Sequence, residues 1–165
     1  LNYYTLNTFH LKKILNHFLF QIVSYNMLNN LSYKDLKIEK EINTLIGKEY
    51  SFLEKLIRRG IGSKKLIIKK ADNIIYDKLS KSYDLNECNI EIRSKGIIIY
   101  FKSKLLTYGL SIPYYKLIIF KVDTSHYTIN YDKYFLKLRV KDKSDHKFFK
   151  KISKYKSNFL KDTMA

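Results

Sequence analysis

A chain of 165 residues with 45% hydrophobic residues is long and apolar enough to pack one domain and too apolar to be a disordered basic tail. Its 32 Lys and Arg outnumber 15 Asp and Glu, a formal balance of +17, so its surface draws phosphate and other anions at long range. A single cysteine, Cys88, excludes an intrachain disulfide, and no apolar run approaches the ~20 residues of a membrane span.

Two origins of the charge stand side by side. Arg occurs only at Arg58, Arg59, Arg93 and Arg139, while Lys, Asn, Ile, Tyr and Phe abound, with one Pro and no Trp. Those abundant residues have AT-rich codons, so an AT-rich genome would also write a lysine-rich chain. Cys88 beside a predicted strand reads as a small buried residue. The absence of a disulfide fits a reducing compartment, cytoplasmic or an organellar matrix, rather than secretion.

Residues 1–26 contain no acid and precede Met27, the first Met; the chain itself begins at Leu1. They are expected to be either an extension or an amphipathic helix, with Leu11, Ile14, Leu15, Phe18, Leu19 and Ile22 at helical spacing. Residues 27–165 are expected to form a single α+β domain. A helix is predicted over 35–59, interrupted at Gly47 and ended by Gly60-Ile61-Gly62. Ser63 then reads as the N-cap of a second helix over 64–82, with Ile67, Ala71, Ile74, Ile75 and Leu79 on its apolar face.

From Cys88 onward the period changes to two. Ile90 and Ile92, then Ile97, Ile99 and Phe101, make two strands joined by Ser94-Lys95-Gly96, with Gly96 expected at positive φ. Leu106 to Ile112 makes a third, ended by Pro113. Tyr115–Val122, apolar on both faces, reads as a central fourth. Tyr127–Tyr131 and Tyr134–Val140 make the fifth and sixth. Short connections predict an antiparallel meander of about six strands. Ser144 or Asp145 then caps a C-terminal helix whose Phe148, Phe149, Ile152, Tyr155 and Phe159 form a stripe to cover the sheet.

The stretch Ile90–Phe101, the segment Leu110-Ser111-Ile112-Pro113-Tyr114-Tyr115-Lys116-Leu117 and the helix from Asp145 resemble bacterial pleckstrin-homology-like domains. The whole chain is similar to a group of short uncharacterised bacterial proteins with the same Lys-rich helix and Ile-Pro-Tyr-Tyr segment. The resemblance covers the last half and implies a binding scaffold rather than a chemistry.

No catalytic motif occurs. Neither His126 nor His146 has metal-ligand spacing to a Cys or acid, and Gly60-Ile61-Gly62 lacks the rest of any phosphate-loop pattern. No metal, cofactor or enzyme activity is expected. Basic residues cluster in three places: around Gly60–Ser63, along the sheet (Arg93, Lys95, Lys102, Lys104, Lys116, Lys121), and on the last helix. The first cluster, Arg58, Arg59, Ser63, Lys64, Lys65, Lys69 and Lys70, is the sharpest anion-binding candidate, because guanidinium groups there adjoin an expected helix start. Tyr100, Tyr114 and Tyr115, with Tyr127 and Tyr131, are candidates for stacking on bases. The expected function is a non-enzymatic cationic module that contacts a polyanion, RNA or ribosomal RNA foremost. The alternative is a pleckstrin-homology-like adaptor for a protein or an anionic membrane surface, its charge largely compositional.

Overall fold

The computed structural model describes residues 27–79 and 86–164, so the segment 1–26 and its apolar stripe lie outside the described residues. The described chain is α+β. In order it forms β1 (Leu28–Asn30), α1 (Leu36–Ile46), α2 (Phe52–Ile57), β2 (Leu66–Ala71), α3 (Asn73–Leu79), β3 (Glu87–Ile92), β4 (Gly96–Ser103), β5 (Leu106–Pro113), β6 (Ile118–Lys121), β7 (His126–Tyr131), β8 (Tyr134–Arg139) and α4 (Lys143–Met164). The strands make one eight-stranded antiparallel sheet in the order β1-β5-β4-β3-β2-β8-β7-β6. The sheet is therefore two hairpin runs, β3-β4-β5 and β6-β7-β8, bridged by β2, rather than one six-stranded meander.

The stretch 64–82, expected as a second helix, begins with a strand instead. Leu66–Ala71 is a strand, and among the described residues of that stretch Asn73–Leu79 is the helical part. The cause is a bulge between Ile68 and Lys70. It inserts one residue, so Leu66, Ile68 and Ala71 face the core where a regular strand would use 66, 68 and 70. That spacing hides the period of two and leaves Ile67, Ala71, Ile74 and Ile75 looking helical. Asp72 makes the switch: its Oδ1 accepts from the backbone N–H of Ile74 (2.9 Å) and Ile75 (3.1 Å), and its Oδ2 accepts from Phe135 (2.9 Å) on β8.

The helix expected over 35–59 is two helices. Asp35 caps α1 through the N–H groups of Lys37 and Ile38, and α1 stops at Gly47, whose φ is +88°. A Cβ there would fall 2.0 Å from Ser94 Oγ, so both conformation and space require glycine. Ser51 and Glu54 then form a capping box that starts α2. Gly96 is also a glycine for space, not for positive φ. An added Cβ would lie 2.3 Å from the Ile112 carbonyl.

The core lies on one face of the sheet. Leu66, Ile68, Ile90, Ile92, Ile97, Ile99, Leu110, Ile129, Leu136 and Leu138 point inward with Ile75 and Leu79 of α3 and Phe149 and Ile152 of α4. The ring of Phe149 stacks on Tyr127 at 4.0 Å, and Tyr114 meets Phe159 at 5.7 Å. Asp142, rather than Ser144 or Asp145, caps α4 by accepting from Ser144 (2.8 Å) and Asp145 (3.1 Å) N–H groups, while Asp145 reaches back to Lys141 N–H at 2.7 Å. On the opposite face α1 covers β4 and β5 with a second apolar cluster of Ile42, Leu45, Ile46 and Ile98.

The strand expected over Tyr115–Val122 is shorter and lies at the sheet edge. Among the described strands Ile118–Lys121 pairs with β7 alone, and Ile118, Phe120 and Val122 are exposed. A continuous apolar run suggested two covered faces; the run divides instead into a buried turn at Tyr114 and Leu117 and an open edge.

Phe149 is 1% exposed and sits where helix and sheet meet. Phe149→Ala is expected to destabilise the fold by about 3–5 kcal/mol through reduced transfer energy and the cavity left behind. Urea unfolding followed by circular dichroism checks it; a loss below about 0.5 kcal/mol would mean that the ring is not packed as described.

Candidate nucleic-acid interface

The bulge in β2 decides what is presented by the part of the sheet that no described helix covers. Because it returns Ala71 to the core face, Lys70 turns outward beside Lys137. Register then aligns three outer rows. Lys70, Lys137, Thr128 and Phe120 form one; Ile67, Arg139 and His126 a second; Phe135, Asn130 and Ile118 a third. No described helix lies over these rows, since α3 and α4 pack on the core face and α1 covers β4 and β5. None of β2, β6, β7 and β8 contains an acidic residue.

The surface is thus mixed. Lys70 and Arg139 are exposed, Lys137 is half-buried, and Phe120 keeps 60% of its surface in solvent. Lys69, the bulged residue, is exposed beside Lys70. At the rim Asp123 binds His126 Nδ1 at 2.9 Å and accepts from Ser125 N–H at 2.7 Å. Those hydrogen bonds, Ser125 first, hold its carboxyl down to about 2. A second acid, Glu87 of β3, continues the second row beside Ile67 and pairs with Lys65 at 2.9 Å.

The cluster Arg58–Lys70 is divided by the fold. Ser63 does not cap a helix: its Oγ accepts from Ile90 N–H (2.9 Å) and donates to the Lys64 carbonyl (2.7 Å). The helix N-terminus expected to favour an anion there is absent, because β2 follows. Lys64 pairs with Asp142 at 2.8 Å and Lys65 with Glu87 at 2.9 Å. The Lys64 hydrogen bond is the main reason that the Asp142 carboxyl lies well below the usual range. Arg58 is a clamp. Its guanidinium lies 4.2 Å from the centre of the Tyr50 ring and donates to Tyr155 Oη at 3.1 Å, and that hydrogen bond raises its pKa. Lys151 Nζ donates to the carbonyls of Arg58 (2.6 Å) and Gly60, closing the loop onto α4. Arg59 is exposed, with φ +54°. Of the seven residues, Lys70 stands in the outer rows and Lys69 lies exposed next to it in the bulge.

The tyrosines are placed elsewhere. Tyr114 is wholly buried and donates to the Arg93 carbonyl at 3.0 Å, so it presents no ring face to a base. Burial pushes its hydroxyl pKa well up. Tyr127 and Tyr131 are core residues. Tyr100 lies beneath α1, accepts from Arg93 at 3.2 Å and has its pKa raised chiefly by burial. Tyr115 is 46% exposed, near Lys116 and away from the rows. Arg93, expected among the basic residues of the sheet, is buried and neutralised. Its Nε touches Glu91 Oε1 at 2.6 Å, off the line of a hydrogen bond, and Glu49 lies 3.9 Å from its other nitrogen. It forms the wall of a groove of about 580 Å³ between α1 and the sheet, which Glu49 and Asp35 also line.

The residues that sequence reasoning missed are Lys137, Arg139, Phe120 and Phe135. Their signal was the alternation of Phe135, Lys137 and Arg139 against buried Leu136 and Leu138. Among the described residues no group of three or more His, Cys, Asp or Glu could hold a metal ion, and no helix is long and apolar enough to cross a membrane. No family model, curated protein or solved structure matches the chain.

Two side chains give tests of these placements. Burial pushes the Cys88 thiol up to about 12, so the native protein is expected to stay unlabelled by iodoacetamide at pH 8 and to react once unfolded, read by mass spectrometry. Rapid native labelling would contradict its burial. Arg58→Ala is expected to cost about 1 kcal/mol by removing the guanidinium from the Tyr50 ring, whereas Arg59→Ala leaves the unfolding midpoint unchanged. Equal effects in urea unfolding would remove the distinction between clamp and surface residue.

Proposed function

We propose that this protein is a non-enzymatic binding module for single-stranded RNA, held on the open outer rows of β2, β8, β7 and β6. The observation that carries the reading is an outer face of β2, β8, β7 and β6 that no described helix covers and whose strands hold no acid, on which Lys70 and Lys137 share a row with Phe120 and the flanking rows hold Arg139 and Phe135. Cations on such a face neutralise phosphates and release counterions, and exposed rings stack on bases with little preference for sequence. Lysine is a point charge without the fork that reads a base edge, so the set fits backbone contact better than sequence readout. A flat sheet admits splayed single-stranded bases, whereas the deep groove of an RNA duplex does not admit side chains.

The test is fluorescence anisotropy with labelled single-stranded RNA of unrelated sequences across a salt series. Affinity is expected to fall linearly with salt on a log–log plot. Lys70→Gln with Lys137→Gln should flatten the slope by about 0.7 for each phosphate that is no longer neutralised. Phe120→Ala should weaken binding by about 1–3 kcal/mol without flattening it. Absence of binding at low salt, or an unchanged slope in the lysine double variant, overturns the reading. A loss caused by Arg59→Gln alone would move the site to the α2 end of the molecule.

A further inference from the structure

The helix α2 has no buried residue. Phe52, Leu53, Leu56 and Ile57 are each between 67% and 80% exposed. Spaced i, i+1, i+4 and i+5, they fill one side of a six-residue helix and project from the molecule. Contiguous apolar surface of this kind on a strongly charged protein marks a contact site. The helix is held rigidly from behind: the capping box fixes its start, and the Arg58 clamp and the Lys151 bonds to the Arg58 and Gly60 carbonyls fix its end against α4.

Its surroundings are cationic. Lys48 and Arg59 are exposed on either side of α2. Behind it Arg58, Lys151 and the exposed Lys154 line a cleft of about 470 Å³ with Tyr50 and Tyr155. Of the three nearby acids, Glu54 accepts from the Ser51 N–H at 2.8 Å, Glu49 pairs with Lys55, and Asp162 lies at the far side of the cleft, on α4. A projecting apolar tip with a positive rim complements a surface that is apolar inside and negative outside.

We propose that α2 docks the protein on an anionic lipid bilayer. Phe52, Leu53, Leu56 and Ile57 enter the boundary between headgroups and acyl chains, and Lys48, Arg59 and Lys154 face the lipid phosphates. Two alternatives fit the shape less well. A helix in a partner's groove presents anchors over two turns at i, i+3 or i+4, and i+7, which six residues cannot supply. A second copy would bring its own positive rim against this one. The surface is separate from the proposed RNA face, because α2 is tied to α4 on the core side of the sheet.

The experiment is vesicle flotation of the full chain at low and moderate salt. One set of vesicles is phosphatidylcholine alone; the other contains phosphatidylglycerol as well. Wild type is expected to float with the anionic vesicles and not with the neutral ones. Leu53→Ser combined with Ile57→Ser should lower partitioning about tenfold or more, since each removes exposed apolar surface that the bilayer would cover. Both sites are exposed, so the melting temperature should hold, and RNA anisotropy on the same variant should be unchanged, which keeps this proposal separable from the RNA reading. Flotation that is unaffected by the double substitution would reduce the effect to charge adsorption and overturn the proposal. So would absence of flotation at low salt, or a dimer in sedimentation velocity that the substitution splits.

Discussion

Everything in this molecule is organised by the strand β2, which hydrogen-bonds to β3 on one side and β8 on the other. Without it, β3-β4-β5 and β6-β7-β8 would each expose a row of unpaired backbone groups, and neither is wide enough to cover a core alone. The pairing joins residues far apart in the chain, so it forms only after the ordering entropy of the intervening loops has been offset by burial. Leu66 and Ile68 provide that burial on the inner face, where they meet Cys88, Ile90 and Leu138.

The two faces of the sheet then take different roles. Inside, α4 lays Phe149 on Tyr127 and Phe159 near Tyr114, and α3 adds Ile75 and Leu79. Outside, α1 covers the β4–β5 half with Ile42, Leu45 and Ile46, and β3, with Glu87, Asn89 and Glu91 alternating against its buried residues, separates that half from the one that no described helix covers. The bulge at Ile68/Lys70 serves both faces at once. It restores Ala71 to the core and turns Lys70 outward into the row of Lys137. A structural irregularity thus generates the cationic face.

The same logic separates working cations from ornamental ones on a chain rich in lysine. Lys151 closes the α2 loop, Lys156 donates to the Leu117 carbonyl, Arg58 is clamped between rings, and Arg93 is buried among carboxylates. Lys64 and Lys65 carry exposed ion pairs, which contribute little in water. Lys70 and Arg139 of the outer rows face solvent on strands that hold no carboxylate, as do Lys102 of β4 and Lys121 of β6. Composition alone, whether drift or selection, is blind to this division, because it depends on neighbours brought together by folding.

By itself the sequence determined the α+β class, the alternating strands from Glu87 to Arg139 apart from the Tyr115–Val122 run, the burial of Cys88 and the apolar stripe of the last helix. Each follows from local periodicity of two or 3.6, which neighbouring residues carry among themselves. It also carried the Ser51-x-x-Glu54 signal of α2, a feature easily overlooked inside a longer apolar run. Only the tertiary structure decided that Leu66–Ala71 is a central strand, that Ile118–Lys121 is an edge, that Ser63 bonds to Ile90 rather than opening a helix, and that Tyr114 is buried while Phe120 is not. Those facts have two physical origins. A bulge shifts side-chain phase by one residue, and strand order sets which faces are covered. Neither leaves a mark within the window of chain over which periodicity is read.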